Sequence, residues 1–238
     1  MCGRTCCSLD PDTLCYACGY KDANGKQQEL TWAKTELKYT PSFNMGPQDI
    51  LPCMVSGSHF GEKERVLCAM IWGMIPPWHK GDYKKRVDKL STHNGRLESI
   101  QTSKLYSTSL RNRQRCIVIC EGFYEWKAGI NNKSPKQPYY IYATQDKGIK
   151  ADDPATWSND FTKLDGWKGF KVLKLAGIFG TYETEEAWLN NDLPTDVVIK
   201  RLNNIILEEQ ALSWHLVSTI VNNVLHKTAD CRKEIKPQ

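Results

Sequence analysis

The sequence predicts an α+β fold that is mainly β, with short helices at its periphery, in one domain spanning residues 1–238. Three observations predict it. Runs rich in β-branched and aromatic residues recur along the chain, glycine and proline punctuate the intervals between them, and only a few stretches carry helical spacing. With 238 residues, 40% of them apolar, the chain can fill a substantial core.

In order along the chain, Asp10-Pro11 reads as an N-cap followed by proline at the first helical position. Leu14, Ala17 and Cys18 then give the apolar spacing of a short helix that ends near Gly19. Residues 21–50 are polar and broken by proline and glycine, so loops and short extended pieces are expected around Tyr39-Thr-Pro-Ser-Phe-Asn44, with a possible binding edge. Strands are expected at 66–73, 115–125, 138–144 and 171–179. Residues 184–190 and 195 to about 210 read as helices, and 214–221 as a last strand. The sequence has no internal repeat, low-complexity tract or linker.

The net charge of +5 and pI near 8.6 permit an anionic partner without requiring one. Basic residues cluster in Lys80–Lys89 and at Arg111, Arg113 and Arg115, although such runs are more often solvated faces than binding sites. No apolar run approaches the roughly eighteen residues of a membrane span, and Met1-Cys2-Gly3-Arg4 lacks the apolar stretch of a signal peptide. An intracellular protein with no membrane partner is therefore expected, its ten cysteines reduced.

Cys2 directly follows the initiator methionine, and its small side chain permits removal of Met1. The product is a 1,2-aminothiol. An α-amino group titrates near 7.7–8.0, so much of it is neutral at physiological pH and can attack an aldehyde. The adjacent thiol can then close the imine into a five-membered thiazolidine. Glu125, in Glu121-Gly-Phe-Tyr-Glu-Trp126, stands at a strand end between aromatics, where desolvation favours a proton-transfer role, though most strand-end glutamates simply face solvent. In Trp72-Gly-Met-Ile-Pro-Pro-Trp78 the prolines break a strand and leave Trp78 on a turn beside basic residues, where an exposed indole stacks on or wedges between bases. Cys15-Tyr-Ala-Cys18 raises zinc or redox chemistry, but no second C-x-x-C accompanies it, so no metal and no cofactor is expected.

Several of these segments together resemble the SRAP family. Its M-C-G-R opening matches residues 1–4, and its P-S-Y-N is similar to Pro41-Ser42-Phe43-Asn44 with phenylalanine for tyrosine. W-G-L-x-P-x-W resembles residues 72–78, N-x-R resembles Asn94-Gly95-Arg96, and D-G-F-Y-E-W resembles 121–126. Q-P-Y-x-I-Y resembles 137–142, A-G-I-F matches 176–179, and V-S-S-V-V-N-N resembles Val217–Asn223. The resemblance implies an open, barrel-like arrangement of curved antiparallel sheets. It implies that Cys2 links covalently to abasic sites in single-stranded DNA, that Asn94 positions the N-terminus and the sugar, and that Glu125 moves protons. Arg4 and Arg96 are implied as phosphate contacts, Asn44 as lining the same groove, and Trp78 and Leu90 as wedges separating bases. It further implies a nuclear, monomeric protein of the DNA damage response at replication forks, with weak lyase and N-terminal autoprocessing activity; the sequence shows no docking motif for a fork partner.

One family motif has no counterpart. Where the family carries H-x-R-M-P after its A-G-I-F strand, this chain runs from Phe179 through Gly-Thr-Tyr-Glu-Thr into Glu185-Glu-Ala-Trp-Leu189. An internal strand-loop is therefore expected to be missing between 179 and 185, and with it the family's catalytic histidine. The alternative function is a catalytically impaired remnant that only binds single-stranded DNA.

Overall fold

The computed structural model describes residues 3–22, 24–62, 65–76, 92–128, 135–158, 160–162, 165–180, 194–203, 208 and 210–236. The chain opens with β1 (Thr5–Cys7) and α1 (Pro11–Ala17). The Asp10 carboxylate caps that helix, accepting from the Asp12 and Thr13 N–H groups at 3.0 and 2.9 Å, as its sequence signature predicts. The polar stretch beyond it contains β2 (Tyr20–Lys21), β3 (Gln27–Gln28), β4 (Thr31–Trp32) and β5 (Ser42–Met45). Next come β6 (Ile50–Ser56), β7 (Arg65–Ile71), α2 (Ser107–Arg111), β8 (Arg115–Cys120), β9 (Gly122–Lys127) and β10 (Gln137–Ala143). A small hairpin of β11 (Phe161–Thr162) and β12 (Gly166–Trp167), then β13 (Leu173–Ile178), α3 (Thr195–Asn203) and β14 (Leu212–Leu216) complete the described elements.

Two five-stranded sheets carry the molecule, in the orders β14-β10-β9-β1-β5 and β13-β8-β6-β7-β4. All their pairs are antiparallel except β4 with β7. Neither closes, so the mainly-β class with open, barrel-like antiparallel sheets holds. One apolar core joins the sheets, with Cys7 and Met45 from the first meeting Leu51, Met54, Leu67 and Ile119 from the second. A second core lies on the other face of the first sheet, where Tyr124 and Tyr140 pack with Phe170, Val217 and Val221. Each fully buried side chain of this size contributes about 1.5–3 kcal/mol.

The expected single strand 115–125 is two strands in two different sheets. The chain switches sheets at Glu121, whose buried carboxylate accepts from the Ser8 and Leu9 N–H groups at 2.6 and 2.7 Å. β6 falls outside the predicted strands, because Pro52 lacks the N–H that a central strand needs. It is tolerated because β8 pairs with β6 only at Cys53 and Met54, so Pro52 lies beyond the end of that ladder. The expected last strand stops at Leu216, since the Ser218 hydroxyl accepts from Ile220 N–H at 3.3 Å and starts a 3-10 turn at Thr219–Asn222. The helix from Thr195 is described as far as Asn203, and residues 208 and 210 are not helical, so it does not extend to about 210. The helix expected at 184–190 lies outside the described residues.

Candidate functional site

β1 pairs antiparallel with β9, with Thr5 against Phe123 and Cys6 against Gly122. The ladder continues beyond β1, where Tyr124 N–H donates to Arg4 O at 3.0 Å. Extending the same register by one more residue sets Gly3 against Glu125. Glu125 is half-buried, on the face of β9 opposite to Tyr124, which is buried in the second core. The N-terminal segment thus runs out of the sheet alongside the one carboxylate that the sequence singles out for proton transfer.

A loop formed by residues 217–227 holds this segment from the side. Arg4 Nη1 donates to Val221 O at 2.8 Å and Nη2 to Asn222 O at 3.4 Å. Trp126, next to Glu125, donates its Nε1–H to Asn222 Oδ1 at 2.7 Å. Asn44 is fully buried, and its amide donates to Val221 O, Asn223 O and His226 O at 3.1, 3.0 and 3.0 Å. Lys227 pairs with Asp49, whose other role is to accept from Gly46 N–H at 2.8 Å. Gly46 is required for closeness: a Cβ there would stand 2.8 Å from Val224 Cγ2 and 3.4 Å from Arg4 Nε.

Behind the loop is a buried ion pair between Glu121 and Arg232, both side chains inaccessible to solvent. The Arg232 guanidinium stacks between the Phe43 and Trp157 rings, 4.6 and 4.5 Å from their centroids. Breaking one partner of such a pair leaves an uncompensated buried charge. The pair therefore fixes the 228–235 segment to the β8–β9 junction, and so to β1.

Asn94 reaches the same end of the molecule by another route. Its carbonyl accepts from Tyr106 Oη at 3.1 Å, and the neighbouring His93 O accepts from Trp72 Nε1 at 3.1 Å. Trp72 N–H in turn donates to Asp49 O at 2.8 Å, in the loop that flanks Arg4. Asn94 is half-buried and Arg96 is exposed. Cys2, Trp78 and Leu90 lie outside the described residues. The expected set therefore divides. Arg4, Asn44 and Glu125 gather around the N-terminal segment, with Asn94 tethered to the adjoining loop. Arg4 donates through Nη1 and Nη2, and Asn44 through its amide, to carbonyls of one loop, so both tie that loop to the N-terminal segment.

Burial pushes the Cys15 thiol up to about 11 and Cys18 up to about 12, and also holds Cys6 and Cys7 well above the usual thiol range. These sulfurs are protonated, packed side chains rather than nucleophiles. Sequence reasoning missed Glu121, Arg232 and the carbonyls of Val221–His226. The Val217–Asn223 motif was the only signal pointing to that loop, and main-chain carbonyls leave no mark in side-chain identity.

The comparisons with known proteins bear on the family and the fold. The model of the family described as SOS response associated peptidase (SRAP) matches residues 1–184. The abasic site processing protein HMCES of Xenopus tropicalis is 32% identical, over 99% of this chain and 78% of that protein. The alignment runs over 274 positions against a chain of 238 residues, so at least 36 positions of that relative have no counterpart here. The abasic site processing protein YedK of Escherichia coli (strain K12) is 25% identical over 68% of this chain and 72% of that protein. Among solved structures, a protein from Bacteroides thetaiotaomicron superposes with a TM-score of 0.60 at 14% identity, covering 99% of this chain and all of that one, which speaks to the fold. On the family match, the long alignments and the shared fold, this chain belongs to the SRAP family.

Proposed function

We propose that this protein processes abasic sites in single-stranded DNA by forming a covalent crosslink through Cys2 after removal of Met1. The observation that carries it is the β1–β9 register, which brings the N-terminal segment alongside Glu125. The names of the relatives supply the substrate class.

The open-chain sugar presents an aldehyde at C1′. The neutral α-amino group adds to it, and the carbinolamine loses water to give an imine. Glu125 in its protonated form gives a proton to the departing hydroxyl, and the carboxylate then takes a proton from the Cys2 thiol. The thiolate adds to the carbon of the imine in its protonated form, and the C=N electron pair returns to the nitrogen, which keeps the N–H it carried in the carbinolamine. Aldehyde and aminothiol thus yield thiazolidine and one water, with no oxidant or metal. Strand cleavage from the imine competes with ring closure and accounts for a weak lyase activity.

The test is incubation of the mature protein with an oligonucleotide containing one abasic site. A denaturant-stable adduct that Cys2→Ala abolishes is the expected result, and no adduct from a folded sample overturns the proposal. A second function, retention of single-stranded DNA without reaction, is favoured by the absence of an H-x-R-M-P motif from the sequence. It predicts equal, denaturant-sensitive retention by the wild type and Cys2→Ala. Sugar ring opening without the family's histidine relies on the small open-chain fraction, so the adduct is expected to form slowly.

A further inference from the structure

The face of the first sheet that carries Glu125 continues across two more strands as an apolar floor. Pairing sets Glu125 against Tyr139 and Tyr139 against Leu216 in one row, and Phe123 against Ile141 and Ile141 against Trp214 in the next. The opposite face takes the alternate residues, Tyr124, Tyr140 and His215, all buried. Trp214 ends its row on the edge strand β14 and is 65% exposed, the most exposed ring among the large hydrophobic side chains of the described residues. A tryptophan beside isoleucine and leucine on a sheet face has apolar neighbours to bury against, so so much open indole marks a surface kept for a ligand.

The chemistry of the proposed substrate says which ligand. An abasic nucleotide has no base, so the reacting residue offers no π-face and the neighbouring bases must supply stacking. Strands are spaced about 4.8 Å apart, so β14 lies roughly 10 Å from β9, about three nucleotides along a stacked strand at 3.4 Å each, and fewer along an extended one. An exposed indole on an apolar floor offers a flat face that suits a base rather than a charged phosphate, so bases and not the backbone face it. We propose that Trp214 is a stacking platform for a nucleobase about one to three nucleotides from the abasic one in single-stranded DNA, a subsite that rests on the crosslinking function proposed above.

The experiment measures equilibrium binding by fluorescence anisotropy, using a single-stranded oligonucleotide with one tetrahydrofuran residue, an abasic analogue that cannot form an aldehyde. Trp214→Ala should weaken binding about 5- to 100-fold, the range of one base–aromatic stack, and Trp214→Phe should restore most of it. Replacing the bases flanking the analogue with further tetrahydrofuran residues should bring the wild type down to the level of Trp214→Ala. Equal affinity of the wild type and a folded Trp214→Ala on the first oligonucleotide overturns the platform. So does a deficit that persists undiminished when the flanking bases are removed. A change in sedimentation with unchanged DNA affinity would instead make this face a contact between copies of the chain. Because the analogue cannot react, failure of the crosslink leaves this readout intact: no adduct on a true abasic site, with Trp214-dependent binding retained, removes the chemistry and keeps the subsite.

Discussion

At the β14 edge of the first sheet, Ile235 N–H donates to Leu216 O at 3.0 Å and Val217 bridges to Glu234; at the β5 edge, Phe43 N–H reaches Lys227 O at 3.4 Å. One segment, 217–236, thus borders both ends of the sheet that holds the N-terminal strand. At the β13 edge of the second sheet there is no strand beyond among the described residues, and Lys174, Leu175 and Ala176 are exposed in succession. The family motif without a counterpart here is expected just past that strand, after Phe179. The contrast shows where rigidity is concentrated: around the strand leading to Gly3, and not evenly through the two sheets.

The comparison breaks most sharply at the buried ion pair. Arg232→Met should lower stability by about 3–5 kcal/mol in urea unfolding, because Glu121 is left charged and buried. Adding Glu121→Gln to it should recover part of that loss, whereas two independent sites would lose more. Gly122→Ala comes next. A Cβ there would meet the Tyr140 ring at 2.5 Å and Ile141 O at 2.6 Å, and overpacking of this kind costs about 1–3 kcal/mol. Asn44→Ala should cost a similar amount, about 1–3 kcal/mol, by leaving carbonyls of the 221–226 loop without their donor. It should also slow adduct formation, measured on the same abasic oligonucleotide, through a looser Arg4. At the other end of the scale, Leu175→Ser should change stability by less than about 1 kcal/mol. Hydrogen exchange sharpens the contrast without any mutation: amides of β14 and β5, the bordered edges of the first sheet, should exchange far more slowly than those along the outer edge of β13. Equal protection at both edges would refute it.

What was legible in the sequence follows from how local each cause is. α1 could be read because its cap is two and three residues from the groups it satisfies, and Asp10-Pro11 states the start outright. The β-branched and aromatic runs of β7, β8, β10 and β13 could be read for the same reason. Glu121 could not: in an apolar run it reads as part of a strand, and its partner Arg232 is 111 positions away. The acceptors of Arg4 and Asn44 could not be read, because a main-chain carbonyl is the same whatever the side chain. β6 was not among the expected strands, and the short β6–β8 ladder that leaves room for Pro52 in it is a tertiary fact.

The clamp on Arg4 also has a consequence in time. Its acceptors are 217 and 218 positions later in the chain, and Arg232, which approaches Cys6, follows that residue by 226. Synthesis runs from the N-terminus at about 5–20 residues per second, so on the order of ten seconds or more separate the emergence of Arg4 from that of its partners. During that interval the first residues are exposed to enzymes that trim nascent chains, and the methionine ahead of Cys2 can be taken off before the loop closes. Late closure thus leaves the start of the chain open to trimming until residues 217–236 have been made, as the proposed crosslinking through Cys2 requires.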